Sequence, residues 1–130
     1  MNRRTLLLLA VAAMSLAGPC LAEAAEVAFD AQAFAAAQAA GKPVVVAIHA
    51  SWCPVCAKQK PIMSQLEADP ALQGVTVFMV DFDAQKDVVR RFGVQKQSTL
   101  IAFHGKVEKT RSTGETDADK LRAIYRAALG

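Results

Sequence analysis

The chain has 130 residues, enough for one domain with a modest core and too few for several. Apolar residues make up 53% of the chain, and its formal net charge is +3. Basic and acidic residues are too evenly balanced to form a surface that neutralises phosphates, so the composition argues against nucleic acid as a partner.

The N-terminal segment, residues 1–22, has the organisation of a secretory signal peptide. Arg3 and Arg4 precede an apolar stretch over residues 6–17, which a Gly-Pro pair then breaks. The stretch is shorter than the roughly 20 residues that a membrane-spanning helix needs. Small residues at the required spacing predict cleavage after Ala22 or Ala24.

Cys20 lies inside this predicted signal peptide. Lipoprotein signals resemble Leu-Ala-Gly-Cys, but Pro19 interrupts that pattern directly before the cysteine. We therefore expect Cys20 to be removed with the signal peptide and not to carry a lipid. Its loss leaves Cys53 and Cys56 as the only thiols, in a chain with 13 basic and 12 acidic residues.

The first predicted elements are a helix and a strand. Asp30 is suited to cap a helix over residues 31–40, with Phe34 as its main apolar anchor and Gly41 as its end. The run Val44–Ile48 is apolar on both faces, which predicts a strand covered on both sides of a sheet.

The segment Trp52-Cys53-Pro54-Val55-Cys56 follows this strand. Residues three apart share one face of a helix, so the two sulfurs can meet, and Pro54 suits the first helical turn. Cys53 then lies at the helix N-terminus, where unpaired N–H groups stabilise a thiolate. A low-pKa thiolate beside a second thiol favours thiol–disulfide exchange.

The pair has two other ordinary interpretations, part of a zinc site and a structural disulfide. A structural zinc site needs four ligands, and the only other cysteine and histidines are Cys20, His49 and His104. No second ligand pair is present, so we predict no metal site and no cofactor. A structural disulfide usually closes a longer loop, because a short loop constrains the unfolded chain little. The position between a strand and a helix favours redox chemistry.

The helix that begins at the cysteines is predicted to continue to about residue 68, with a kink at Pro61. Residues 75–80 form a strongly β-prone run. A short helix should follow, capped by Asp83 and closed by Gly93.

The last third of the chain predicts a hairpin and a helix. Residues 99–103 and 107–111 read as two strands joined by a tight turn. Thr116, with Asp119 three residues on, predicts the start of the last helix. Its buried stripe should comprise Leu121, Ile124, Tyr125, Ala128 and Leu129. This order of elements predicts an α/β domain with one mixed sheet of four to five strands and helices on both faces.

Over residues 28–130 the sequence resembles the thioredoxin family. Trp52 directly precedes Cys53, and Pro61 lies eight residues after Cys53. Gly105 lies at the hairpin turn, and Gly114 lies before the final helix. The segment from Lys42 to Cys56 most resembles exported members, such as the C-terminal domain of the bacterial transmembrane thiol reductant. The resemblance implies a thioredoxin fold over residues 27–130 and a periplasmic thiol–disulfide oxidoreductase.

The resemblance also assigns residues to the site. Cys53 is the expected nucleophile and Cys56 the resolving thiol. The expected peptide-binding residues are Trp52, Pro54, Gln97, Ser98, Thr99 and Gly114. Expected partners are protein thiols and disulfides together with a membrane thiol-electron donor, and the protein is expected to be a monomer.

Two positions depart from the family pattern. Ser98 stands where the family usually has a cis-proline. Because a non-proline cis bond costs about 2.5–4 kcal/mol, we expect a trans bond, with the Ser98 hydroxyl and N–H facing Cys53. Ala47 stands where the family often has a buried carboxylate that relays a proton for the second cysteine.

Three functions remain to be distinguished. The first is an exchange enzyme, favoured as a reductant because Phe92 is followed too soon by Ser98 for the inserted helical domain of a dedicated oxidase. The second is a Cu(I)-binding module, since thiolates select soft metals. The third is a catalytically silent interaction domain or chaperone.

Overall fold

The computed structural model describes Gly18 and residues 26–130. The predicted signal peptide, apart from Gly18, and both predicted cleavage sites lie outside these residues. Within the part that is described, no helix is both long and apolar enough to cross a membrane.

The described chain forms one five-stranded sheet with the strand order β1-β3-β2-β4-β5. The strands are β1 (Glu26–Ala28), β2 (Pro43–His49), β3 (Thr76–Asp81), β4 (Thr99–His104) and β5 (Val107–Thr113). β1 and β2 pair with β3 in parallel, whereas β4 pairs antiparallel with β2 and β5. The predicted mixed sheet is confirmed.

Four helices cover the two faces of this sheet. They are α1 (Ala31–Ala39), α2 (Pro54–Glu67), α3 (Lys86–Arg91) and α4 (Ala118–Leu129), with one 3₁₀ turn at Pro70–Leu72. Alternate residues of a strand point to opposite faces. Val45 and Ala47 of β2 therefore face α2 and α4, while Val44 and Val46 face α1 and α3. Every predicted helix is present.

The side of the sheet that α1 covers is packed with phenylalanine. Phe34 of α1 lies with its ring centroid 5.4–5.7 Å from those of four other rings. These rings belong to Phe29, Phe78, Phe92 and Phe103. Phe34 is thus the anchor of α1, as the sequence predicts.

Strand β1 was not predicted. It has only three residues, all of them exposed, and it pairs along β3 from Glu26 opposite Val77. A strand this short carries no recognisable periodicity, so only its partner reveals it.

Two predicted helix caps are wrong by one or two residues. Asp117, not Thr116, caps α4 by accepting the Lys120 N–H at 3.0 Å. The Glu115 carboxylate accepts the N–H groups of Thr116 and Asp117 and holds a turn there, which delays the start of the helix.

At α3 the N-cap is Gln85, because Asp81 accepts the N–H groups of Asp83 and Ala84 in a preceding turn. At the other end of the chain Leu129 is at the exposed end of α4, although the other four residues of the predicted stripe are buried.

Candidate active site

Cys53 lies at the point where the chain leaves β2 and enters α2. It is the N-cap of the helix, and its Sγ accepts the Cys56 N–H at 3.1 Å. Pro54 occupies the first helical turn, where a backbone N–H would have no intrahelical partner, so its missing N–H costs no hydrogen bond. Its side chain is exposed beside the thiols. The predicted placement of both cysteines on one helical turn is confirmed.

The two thiols have opposite proton affinities. Burial opposes ionisation of Cys53, but hydrogen bonds from the side chain and N–H of Cys56 and from the Gln97 side chain lower its pKa below the usual value. Burial and the neighbouring Cys53 thiol raise the pKa of Cys56 to about 11. One member of the pair is therefore suited to be the thiolate and the other to stay protonated until it is needed.

Exposure of the pair is uneven as well. Cys53 is only 2% exposed, whereas Cys56 is half-buried and Trp52 is 57% exposed. The Trp52 indole Nε1 donates to Asp83 Oδ2 at 2.7 Å. Asp83 had been predicted as a helix cap, and the sequence offers no signal for this contact because 31 residues separate the partners.

The segment Gln97–Thr99 faces the cysteine turn. The Gln97–Ser98 bond is trans, as predicted, and Ser98 has a φ of 62°. The predicted direction of its hydroxyl is wrong, since Ser98 Oγ donates to the Gln97 carbonyl. The Ser98 N–H acts on the pKa of Cys56, which it lowers against the effect of burial, whereas the Gln97 side chain helps to lower the pKa of Cys53.

Thr99 and Gly114 flank this segment. Thr99 is buried, and its Oγ1 donates to the Lys96 carbonyl at 2.8 Å and lies 2.9 Å from Thr113 Oγ1. The Gly114 N–H donates to the Ser98 carbonyl at 3.0 Å. The fold thus gathers the predicted loop residues beside the cysteines, with Thr99 as a structural support.

Gln59 is the site residue that the sequence reading missed. It lies on α2, one turn beyond Cys56, and its Nε2 donates to the carbonyls of Ser98 and Glu115 at 3.2 and 2.8 Å. A glutamine on the helix face that carries Cys56 and Met63 is the only hint of this in the sequence.

A cavity of about 400 Å³ opens behind the cysteines. Both cysteines line it, as do Ala47, Met63 and Met79. Glu26 and Lys60, which also line it, are exposed and mark its outer side. Ala47 therefore leaves space beside Cys56 where a larger side chain would fit.

Across residue 18 and residues 26–130, no cluster of three or more histidine, cysteine, aspartate or glutamate side chains is arranged to hold a metal ion. Both cysteines are free thiols in this structure. The cavity lining includes the sulfur atoms of both cysteines and of Met63 and Met79, which are ligands that soft metals prefer, together with the nitrogen and oxygen donors of His49 and Glu26.

Comparison with known proteins places the chain in a large group of redox domains. The family profile described as Thioredoxin matches residues 24–127. The protein disulfide-isomerase tigA of Aspergillus niger is 34% identical over 93 residues, which are 69% of this chain and 26% of that protein. A thioredoxin of Alicyclobacillus acidocaldarius is 29% identical over 82 residues, covering 63% and 77% of the two chains. The chain spans about a quarter of the length of two protein disulfide-isomerases that it matches, 26% of tigA and 23% of erp38 of Neurospora crassa.

Among solved structures, that of Trxlp from Edwardsiella tarda EIB202 is 41% identical with a TM-score of 0.75. The match covers 78% of this chain and 98% of that one. The fold, the profile and the cysteine geometry agree, and together they support thiol–disulfide oxidoreductase activity.

Proposed function

The chain belongs to the thioredoxin family, and we propose that it is a periplasmic thiol–disulfide oxidoreductase that reduces protein disulfides through Cys53 and Cys56. The observation that carries this proposal is the helix N-cap at Cys53, where the thiol accepts a backbone N–H and has a lowered pKa beside a protonated Cys56. Such a difference in pKa between the two thiols is typical of reactive cysteine pairs and not of inert ones.

The reaction proceeds in two exchanges. The Cys53 thiolate attacks one sulfur of a substrate disulfide, forming a mixed disulfide and releasing the first substrate thiolate, which takes up a proton. Cys56 then loses its proton and attacks Cys53 Sγ, which forms the Cys53–Cys56 disulfide and releases the second substrate thiol. The substrate gains the two electrons that the enzyme loses.

The surface around the thiols suits an extended peptide. Trp52 and Pro54 are exposed on one side of Cys53, and Gln97, Ser98 and Gly114 lie across from them. A reductant needs a source of electrons, and a membrane thiol-electron donor would regenerate the dithiol. Residues 92–98 alone connect α3 to β4, which leaves no room there for the inserted helical domain of an oxidase.

The test of this function is trapping with single cysteine variants. Cys56→Ala should accumulate mixed disulfides with periplasmic proteins, because the first exchange occurs and the second cannot. Cys53→Ala should trap none and should not reduce insulin. The reverse pattern would reject the assignment of Cys53 as nucleophile, and a strongly oxidising reduction potential of the dithiol pair would reject the reductant.

Export is tested separately. The full chain should be found in the periplasmic fraction with a new N-terminus at Glu23 or Ala25, as cleavage after Ala22 or Ala24 requires. An uncleaved chain in the cytosol, or a lipid on Cys20, would contradict the proposal.

Cu(I) binding is a second candidate, because the thioethers of Met63 and Met79 line the same cavity as both thiols. Tight Cu(I) binding in a competition titration, lost in Met79→Leu and accompanied by no insulin reduction, would favour this module over the enzyme. Insulin reduction with weak Cu(I) binding would favour the enzyme.

A further inference from the structure

The side-chain amide of Gln59 is buried, and its NH₂ group makes two hydrogen bonds. Gln59 is 3% exposed, and among the described residues the buried polar side chains are Gln59, Ser98 and Thr99. Its Nε2 donates to two main-chain carbonyls, of Ser98 at 3.2 Å and of Glu115 at 2.8 Å. An amide buried without such bonds would cost about 1–3 kcal/mol. Gln59 can therefore be buried at this position only because these two hydrogen bonds form.

The main chain at Ser98 is unusual at the same point. Ser98 is the one non-glycine residue with a positive φ in the described part of the chain, at 62° with a trans bond before it. That left-handed conformation is disfavoured for a residue with a Cβ and needs support from its surroundings. The support is visible at the Ser98 carbonyl, which accepts from the Gly114 N–H at 3.0 Å as well as from Gln59.

We propose that Gln59 is a positioning residue that holds the segment Gln97–Thr99 in its trans, left-handed conformation against the cysteine turn. In that conformation the Gln97 side chain helps to lower the pKa of Cys53, and the Ser98 N–H opposes the rise in the pKa of Cys56. Gln59 and Cys56 are on successive turns of α2. The hydrogen bonds of Gln59 therefore fix the position of the loop relative to the helix that carries Cys56. The part of this inference that concerns peptide substrates rests on the proposed function.

The proposal makes residues 59 and 98 interdependent. Proline fixes φ near −65° and cannot adopt the 62° seen at Ser98, so Ser98→Pro must rearrange the loop. The Ser98 carbonyl would then move away from Gln59, and one N–H of the buried Gln59 amide would lose its hydrogen-bond partner. With leucine at position 59 no amide loses a partner. Ser98→Pro should therefore have a smaller effect in the Gln59→Leu background than in the parent protein.

The experiment compares Gln59→Leu, Ser98→Pro and the double variant with the parent protein. Gln85→Leu is the control for loss of a glutamine amide that bonds the main chain elsewhere: Gln85 is partly buried, its Nε2 donates to the Phe29 carbonyl at 3.3 Å, and its Oε1 accepts the Asp81 N–H at 3.0 Å. The readouts are kcat and KM for a disulfide-bonded peptide, the rate with a small aromatic disulfide, and the pH at which the Cys53 thiol becomes half-ionised.

We expect Gln59→Leu to raise the peptide KM about tenfold, the change that corresponds to one lost hydrogen bond of about 1.4 kcal/mol. The rate with the small disulfide should change less than about twofold when Cys53 is fully ionised, since that reagent needs no loop. The half-ionisation of Cys53 should move to higher pH. Gln85→Leu should change neither the peptide KM nor the half-ionisation of Cys53. The fold-increase in KM of the double variant should lie well below the product of the fold-increases of the two single variants.

A folded Gln59→Leu protein with the same KM and the same Cys53 ionisation as Gln85→Leu would overturn the positioning role. Single effects that multiply in the double variant would overturn the coupling. If Gln59→Leu does not fold, Gln59→Met keeps the side-chain length without the amide and takes its place. A parent protein that reduces no peptide would refute the proposed function, while Cys53 ionisation in the same variants would still decide the role of Gln59.

Discussion

At the scale of single residues, several hydrogen-bond donors lower the pKa of Cys53 against the effect of burial: the side chain and N–H of Cys56 first, and then the Gln97 side chain. The Gln97 side chain lowers the pKa of Cys53 as a hydrogen-bond donor, whereas the Ser98 hydroxyl donates to the Gln97 carbonyl. A donor to the thiolate lowers its pKa, because the charged form gains the bond. The reactivity of Cys53 is therefore set partly by a residue 44 positions away in a loop.

We predict that Gln97→Ala shifts the pH profile of Cys53 alkylation to higher pH, because the folded protein loses that donor. Ser98→Ala should leave the profile unchanged, since its hydroxyl does not reach the thiol. The measurement is the alkylation rate against pH in a Cys56→Ser background. A profile that moves with Ser98→Ala and stays with Gln97→Ala would contradict this assignment.

Ala47 lines the same cavity as the other thiol, that of Cys56. It is buried beside the cavity of about 400 Å³ that Cys56 lines, and the pKa of Cys56 is raised to about 11. Resolution of the mixed disulfide requires Cys56 to lose that proton, so a base nearby should help.

We predict that Ala47→Asp speeds resolution at neutral pH and lowers the free energy of unfolding, because a carboxylate is costly to bury. Single-turnover kinetics of mixed-disulfide decay would report the first effect and urea denaturation the second. Ala47→Asn is the control of similar size with no base. Equal decay rates in the two folded variants would show that a base at residue 47 is not limiting.

At the scale of elements, α1 illustrates a helix held by one side chain. No residue of α1 is fully buried, and its contact with the sheet is made largely by Phe34 among four other phenylalanine rings. Edge-to-face pairs of this kind add to the burial of the ring itself. The stability of α1 therefore depends on tertiary packing more than on its alanine-rich sequence.

We predict that Phe34→Ala lowers the free energy of unfolding by about 3 kcal/mol, a typical cost for removing a packed phenylalanine side chain. Gln32→Ala on the exposed side of the same helix should change it by less than about 0.5 kcal/mol. Urea denaturation with both cysteines reduced measures both. A loss below about 1 kcal/mol would show that α1 is held by other contacts.

At the scale of the whole molecule, the sheet separates two apolar clusters, and the described surface offers little for self-association. Its large exposed apolar side chains are Val27, Trp52, Val107 and Leu129. Val27 and Val107 lie on the two opposite edge strands of the sheet and Trp52 lies at the cysteine turn, so these three side chains do not form one patch.

We predict that the mature protein is a monomer with reduced cysteines, as measured by light scattering coupled to size exclusion across a range of concentrations. Dilution should not change the measured mass. A stable dimer that persists in Trp52→Ala would contradict the prediction, whereas one that Trp52→Ala abolishes would place the interface at the site itself.

The sequence by itself determined the order of the elements from α1 onward, the mixed sheet and the placement of Cys53 at a helix N-terminus, but not the strand β1. These follow from apolar periodicity and from short-range chemistry, such as Pro54 in the first turn and the cost of a non-proline cis bond at Ser98. Only the tertiary structure decided which polar groups meet. Gln59 and Ser98 are 39 residues apart, Gln59 and Glu115 are 56, and Trp52 and Asp83 are 31. Such bonds leave no local pattern, because their geometry exists only after β2, β3 and β4 have paired and brought α2 against the two loops.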